Sequence, residues 1–423
     1  MEIQVAAGEK IQVLVVVGTR PEAIKMVPVI SALEQSDDFE TIVLATGQHS
    51  TMVAEIITEA GLRLDADLQV SHPGESLNQM FARVMVGVDQ VARERAIPDD
   101  YRVSENHEAL VPALCLVHGD TSSAAAAAVA AFNLQIPVVH VEAGLRTNNI
   151  LSPFPEEGNR QIISRLSALH LAPTPEAKVN LIREGVDIDR ILVTGNTSID
   201  MLRSALCTGT GFGPDLAHLH PSGERPLVLV TAHRRENWGR GLENIAGAIA
   251  ILAERYPNHD FVIPLHPNPK AQDAFREALG ERPNCHLVPA RRYPDFARLM
   301  QAAQLVISDS GGVQEEAPSL GTPVLVTRET TERWEGVHAG TLELIGTERD
   351  RIVAAAAELL DHPAEIARRG QIPNPYGDGY AAERMVQALA NVFGRGEPVR
   401  EYQADRLGAA VRKHANMQIR LVS

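Results

Sequence analysis

Short runs rich in Val, Ile and Leu alternate with longer stretches of helical spacing along almost the whole chain. The apolar runs predict strands at Gln12–Val17, Thr41–Thr46, Ala113–His118, Pro137–Glu142, Ile191–Thr194, Leu227–Thr231, Phe261–Leu265, His286–Val288, Leu305–Ser308 and Pro323–Thr327. Each run ends near Gly, Asp, His or Pro, and most lead into a helical pattern. That alternation is the signature of βαβ units in parallel sheets, so the expected class is α/β. Between Ser204 and Arg225 the chain becomes Gly-, Pro- and His-rich with no sustained period, which predicts a domain junction and its surface loop. The polar, acidic stretch Ala96–Glu108 reads as a surface insertion. After Pro373 the segment NPYGDG breaks helical structure before a helix from Tyr380 to about Phe393, and the polar tail 394–423 is expected to be loosely held. Two doubly wound domains, 1–200 and 201–379, facing each other across a cleft are the simplest architecture, with ligands at the carboxyl ends of the strands.

Composition narrows the partners. The 423 residues carry 39 Lys and Arg against 54 Asp and Glu, a formal net charge of −15. That balance argues against a general nucleic-acid binder or a polybasic membrane-surface protein, so an anionic ligand must be held by a local exception. The three cysteines, Cys115, Cys207 and Cys285, form no C-x-x-C pair, which argues against a disulfide framework or a structural zinc site. No secretory leader is legible at the start, and the apolar tract Ala124–Phe132 is too short to span a bilayer. A soluble, cytoplasmic protein is expected.

Chemistry-bearing residues gather at the ends of the apolar runs. After the first run come Gly18-Thr19-Arg20-Pro21-Glu22-Ala23-Ile24-Lys25. Two cations, Arg20 and Lys25, beside the free amides of a helix start fit a diphosphate seat; a well-capped βα turn with solvated charges fits equally well. His118 leads to Gly119-Asp120-Thr121, where an Asp is commonly a helix cap. The run Val138–Val141 ends at Glu142, in Glu142-Ala143-Gly144-Leu145-Arg146, and a carboxylate closing a buried strand is costly without a partner. Pro155 and Glu156 open a further helix that carries Glu157 and Arg160. Three acids at successive strand ends would converge on one crevice, which favours acid/base work over three independent caps. In the second half, His233 and His266 end adjacent strands, each fit for phosphate or proton transfer or for a structural role. Ser310, Gly311 and Gly312 offer amides to a phosphate, Glu316 can accept from ribose hydroxyls, and Arg328 and Arg333 follow on the next loop.

Taken together, GTRPEAIK, VHGDTSS, HVEAGLRT, SPFPEEGNR, TAHRREN, DSGGVQEEAPSLGTPVLV, RETTERWEG and NPYGDG, in this order, resemble the bacterial non-hydrolysing UDP-N-acetylglucosamine 2-epimerases. The resemblance runs from about Gln12 to about Phe393. It implies two Rossmann-like doubly wound domains in a glycosyltransferase-B fold, with UDP mainly on the second and the last helix packing back on the first. It also implies a homodimer and no cofactor or metal. Carried over by position, the catalytic acids fall on Asp120, Glu142 and Glu156, with His233 near the diphosphate. UDP contacts fall on Arg20, Ser310, Gly311, Gly312, Glu316 and Arg333, with Lys25 in the same essential set; Arg146, Arg160 and His266 complete the substrate-binding candidates. Asp120 thereby moves from cap to catalyst.

The implied reaction interconverts UDP-N-acetylglucosamine and UDP-N-acetylmannosamine, precursors of cell-envelope polysaccharides, through 2-acetamidoglucal and UDP. The same motifs would serve a hydrolysing epimerase, an epimerase of a modified UDP sugar, or a silent UDP-sugar sensor. The chain departs from the family pattern at Gln48-His49-Ser50-Thr51, where bacterial members hold a second, activating UDP-N-acetylglucosamine, and in the insertion and the tail.

Overall fold

The computed structural model describes residues 9–48, 52–72, 74–95, 111–208, 211–219, 225–266, 268–280 and 282–403. The departure at 49–51, the insertion 96–108 and the tail beyond 403 lie outside the described residues. The chain divides into two compact units, one running to Met201 and resuming at Gly379, the other Leu202–Asp378.

The first unit is a seven-stranded parallel sheet of β1 (Ile11–Val17), β2 (Phe39–Ala45), β3 (Ala66–Asp67), β4 (Leu114–His118), β5 (Val138–Val141), β6 (Ser167–Ala172) and β7 (Ile191–Val193). Their spatial order is β3-β2-β1-β4-β5-β6-β7. Strand β1 is buried almost throughout, as a parallel strand covered on both faces must be, and pairs in register with β2 (Val15 with Val43) and β4 (Val15 with Leu116). The crossovers are α1 (Arg20–Glu34), α2 (Met52–Glu59), α3 (Leu77–Arg95), α4 (Ser122–Asn133), α5 (Glu156–Leu166) and α6 (Pro175–Arg183). The alanines of α4 are what let it lie deep between the sheet and its neighbours: Ala124 to Ala128 are all buried.

Helix α7 (Thr197–Thr208) carries the chain into the second unit, whose six parallel strands are β8 (Leu227–Thr231), β9 (Asp260–Leu265), β10 (Cys285–Pro289), β11 (Ala303–Ser308), β12 (Val324–Val326) and β13 (Leu342–Leu344). Their order is β10-β9-β8-β11-β12-β13. Helices α8 (Arg240–Arg255), α9 (Pro269–Leu279), α10 (Tyr293–Ala302), α11 (Gly311–Glu316), α12 (Trp334–Ala339), α13 (Arg349–Leu360) and α14 (Pro363–Gly370) surround it. Helix α15 (Ala381–Val392) then returns to the first unit, burying Met385 and Leu389 in the core that α1 and β1 share.

The α/β class and two doubly wound units stand as expected, and all ten predicted strands exist. Three strands escaped the pattern. Strand β3 has two residues and β13 three, while β6 follows α5 with no intervening turn residue, so its apolar positions read as more helix. Two expectations are corrected. The junction loop is not merely surface, because Phe212 and Leu216 are buried in the second unit's core. Nor is the start of the tail loose: Tyr402 N donates to Val193 O at 2.8 Å, and buried Lys178 donates to Glu401 at 2.7 Å.

Candidate active site

In the first unit the strand order reverses between β1 and β4, so the loops leaving them diverge and open the crevice where doubly wound sheets take ligands. One buried carboxyl ties these loops together. Glu22, 3% exposed, accepts from Gly18 N at 3.0 Å and Thr19 N at 2.6 Å through Oε2, and from the Thr121 hydroxyl at 2.8 Å through Oε1. Burial pushes its pKa above the usual carboxylate value. Gly18 is demanded by close approach, since a Cβ there would meet Ser123 Cβ at 2.5 Å. Arg20 is exposed at the first position of α1, and Lys25 lies one turn further in.

Asp120 is not the cap of α4. Thr121 is, its hydroxyl accepting from Ala124 N at 3.0 Å. The Asp120 carboxylate instead receives Arg160 Nε at 2.8 Å and Nη2 at 2.7 Å, while Arg160 Nη1 donates to fully buried Glu157 at 2.8 Å. Glu142 follows β5 at φ +61°, a left-handed conformation uncommon for a side-chain-bearing residue and concentrated at functional sites. Its Oε2 accepts from Lys25 Nζ at 2.5 Å and Asn196 Nδ2 at 3.1 Å, with His118 Nε2 at 3.6 Å. Burial alone would push Glu142 up, but the Lys25 charge, with His118, outweighs it and holds the carboxyl well below its usual range. Glu156 heads α5 with Oε2 buried and without a hydrogen-bond partner among the described residues. Such an orphaned acceptor calls for a ligand or water. His118, 4% exposed, likewise has neither ring nitrogen hydrogen-bonded among the described residues.

Arg146 is engaged elsewhere. It donates to Glu184 at 2.6 and 2.8 Å, to Ser164 Oγ at 2.8 Å and to Leu145 O at 2.7 Å, which makes it part of the scaffold under α5.

The second unit reverses between β8 and β11. His233 follows β8, with its ring stacked on that of His266 at a centroid distance of 6.0 Å. The His266 Nδ1 accepts from Asn268 N at 3.2 Å, so its neutral form carries the proton on Nε2. Burial pushes the His233 pKa down, Asp309 opposes, and His266 and Arg234 add to the lowering. After β11, Ser310 occupies the N-cap position of α11 without a side-chain capping hydrogen bond. A Cβ at Gly311 would lie 2.9 Å from the Arg333 guanidinium, so a side chain there would displace it. Arg333 is held in turn by Glu315, 3.0 Å from Nε and 2.7 Å from Nη2. Glu316 sits buried beside Tyr293, whose hydroxyl is pushed up chiefly by its own burial and then by that carboxylate. Arg328 is locked by Glu236 at 2.7 Å and Glu332 at 2.9 Å.

Apart from Arg146, each sheet therefore gathers the expected residues around its own reversal. Sequence reasoning missed Glu22, Asn196, Glu157, Asp309 and Glu315, which hold the others in place, and His118, which lies 3.6 Å from Glu142. Among the described residues no group of three or more His, Cys, Asp or Glu is arranged to hold a metal ion, and no helix is long and apolar enough to cross a membrane.

A family profile described as UDP-N-acetylglucosamine 2-epimerase matches residues 31–390. The UDP-N-acetylglucosamine 2-epimerase of Salmonella typhimurium is 43% identical over 383 residues, covering 89% of this chain and 98% of that one. The crystal structure of UDP-GlcNAc 2-epimerase from Neisseria meningitidis bound to UDP-GlcNAc superposes with a TM-score of 0.77 at 40% identity, covering 90% of this chain and all of that one. A glycotransferase of kitacinnamycin, 16% identical with a TM-score of 0.60, shares the fold. With sequence and fold matched over nearly its whole length, the chain belongs to the UDP-N-acetylglucosamine 2-epimerase family.

Proposed function

We propose that this isomerase interconverts UDP-N-acetylglucosamine and UDP-N-acetylmannosamine by elimination and re-addition of UDP, without net hydrolysis. The observation that carries the reading is the carboxylate set of the first unit: Glu142 held ionised by Lys25, Asp120 paired with Arg160, and Glu156 with an unbonded buried oxygen.

The C2 hydrogen of the sugar is not α to a carbonyl, so a carboxylate cannot remove it unaided. When the C1–O bond breaks, the electron pair leaves with UDP and the developing oxocarbenium acidifies C2–H. Proton loss to a carboxylate then gives 2-acetamidoglucal. Glu142, the carboxylate held ionised, suits the acceptor role, and a second acid returns a proton to the opposite face before UDP adds back at C1. The departing diphosphate gains negative charge, which Arg20, His233, Ser310, the amides of Gly311 and Gly312, and Arg333 are suited to stabilise. Glu316 takes the ribose. Arg160 tunes Asp120, and His266 backs His233. A homodimer in the cytoplasm belongs to the same proposal.

The test is proton NMR of UDP-N-acetylglucosamine incubated with the protein in D2O. Deuterium at C2 together with UDP-N-acetylmannosamine supports the reading; free N-acetylmannosamine with UDP supports a hydrolysing enzyme instead; no exchange refutes both. Asp120→Asn, Glu142→Gln and Glu156→Gln are each expected to lower turnover about 10²-fold or more, and near-normal turnover removes that residue from the scheme.

A further inference from the structure

The carboxylate at the reversal point of the second sheet has no part in the mechanism above, yet its surroundings give it one. Asp309 follows β11 and is 0% exposed. Its Oδ2 accepts from the backbone N of His233 at 3.0 Å, the backbone N of Arg234 at 3.0 Å and Asn237 Nδ2 at 2.9 Å. Its Oδ1 accepts from His233 N at 3.1 Å and lies 3.4 Å from His233 Nδ1. Its carbonyl takes Arg234 Nε at 3.0 Å. All these donors belong to the loop leaving β8, so one buried carboxylate reaches across the reversal and grips the segment that carries His233. An acid that only fixed the loop would need its backbone and Asn237 contacts alone; the approach of Oδ1 to Nδ1 falls short of a hydrogen bond but sets a negative charge against that edge of the ring, where it favours a proton.

We propose that Asp309 is the positioning residue of His233, fixing its loop and keeping a proton on Nδ1, so that Nε2 bears a second proton only in the imidazolium that donates to the diphosphate. The groups facing the ring are Asp309 from the β11 loop, His266 from the β9 loop and Arg234 from its own loop. Burial, His266 and Arg234 all favour the neutral ring, and Asp309 opposes them. Removing its charge leaves only influences that discharge the imidazole. An amide NH2 in place of Oδ1 would, in addition, donate to Nδ1 and favour the opposite tautomer. The proposal rests on the reading of His233 as a diphosphate contact.

Two measurements test it. In wild-type protein with 15N-labelled histidine, the imidazole signal lost in His233→Gln identifies His233, and its neutral form is expected to carry the proton on Nδ1. A neutral ring protonated on Nε2 overturns the proposal, and this result needs no Asp309 variant to fold. In Asp309→Asn the His233 titration is expected to fall by about one pH unit or more. The alkaline limb of the pH profile of kcat/KM for UDP-N-acetylglucosamine should move down with it, and in a His233→Gln background the same substitution should not move that profile. An unchanged titration and an unmoved limb would make Asp309 a loop brace only. Wild-type protein that fails to epimerise refutes the proposed function, whereas the tautomer still decides the Asp309–His233 pairing.

Discussion

Lys25→Met removes the cation that lets a buried carboxylate stay charged. Lys25 and Glu142 are 2.5 Å apart with both side chains mostly buried, so at an effective dielectric constant of about 20 they attract by about 7 kcal/mol before desolvation is set against it. Breaking such a pair from one side typically costs about 3–5 kcal/mol, because the remaining charge is left unpaired. Glu142 would keep Asn196 at 3.1 Å and His118 at 3.6 Å, too little to offset its burial. Its pKa should rise from well below the usual carboxylate value to above it, because burial is then opposed by too little.

The sign is then fixed. In the wild type a depressed folded pKa contributes stability that is present above the unfolded value and lost as pH falls through the folded one; in the variant a raised pKa does the reverse. The stability gap between the two proteins, measured by urea melts, should be widest at neutral to alkaline pH and narrow as pH falls through the variant's raised Glu142 value and on below the ordinary carboxylate range. In parallel the acid limb of kcat/KM should move up by the same interval, and Lys25→Arg should restore most of both effects. A stability gap independent of pH, with an unmoved acid limb, would refute the claim that Lys25 holds Glu142 ionised.

Other perturbations separate the remaining supports. Glu22→Ala leaves two loop amides and the Thr121 hydroxyl without their acceptor and should cost about 2–3 kcal/mol in denaturant melts, whereas Glu22→Gln, which can still serve both amides through one oxygen, should cost about 1 kcal/mol or less; equal losses would count against the bridge. Gly311→Ala drives a methyl into the Arg333 guanidinium and should raise KM for UDP-N-acetylglucosamine about tenfold with a smaller change in kcat, and an unchanged KM would place Arg333 outside nucleotide binding. Burial pushes His140 down to about 3 and His170 down to about 4, so the unfolded chain binds extra protons between about pH 6.5 and those values. Stability should therefore fall by roughly 4 kcal/mol from pH 7 to pH 5, and a flat stability curve across that interval would refute the neutral assignment.

What the sequence could show was set by what lies next to what along the chain. A charge that ends an apolar run is visible as such, which is why Arg20, Asp120, Glu142, His233 and Arg333 were legible and why Asp120 stood open between cap and catalyst. The choice turned on Thr121, since an N-cap is decided by which side chain meets Ala124 N, and Asp120 and Thr121 are both fit for it. The supporting residues were hidden for a different reason. Thr121 and Glu22 are 99 positions apart, Asn196 and Glu142 are 54 apart, and Asp309 and His233 are 76 apart. None of these pairs exists until the strand order brings β4 beside β1, β7 to the same sheet as β5, and β11 beside β8. The same reversal that opens a crevice in each sheet thus places a buried carboxyl, Glu22 in one and Asp309 in the other, where it can hold two loops that the chain visits far apart. A binding crevice in such a sheet needs its two divergent loops fixed relative to each other, and a buried carboxyl on one loop that accepts from donors on the other supplies that constraint.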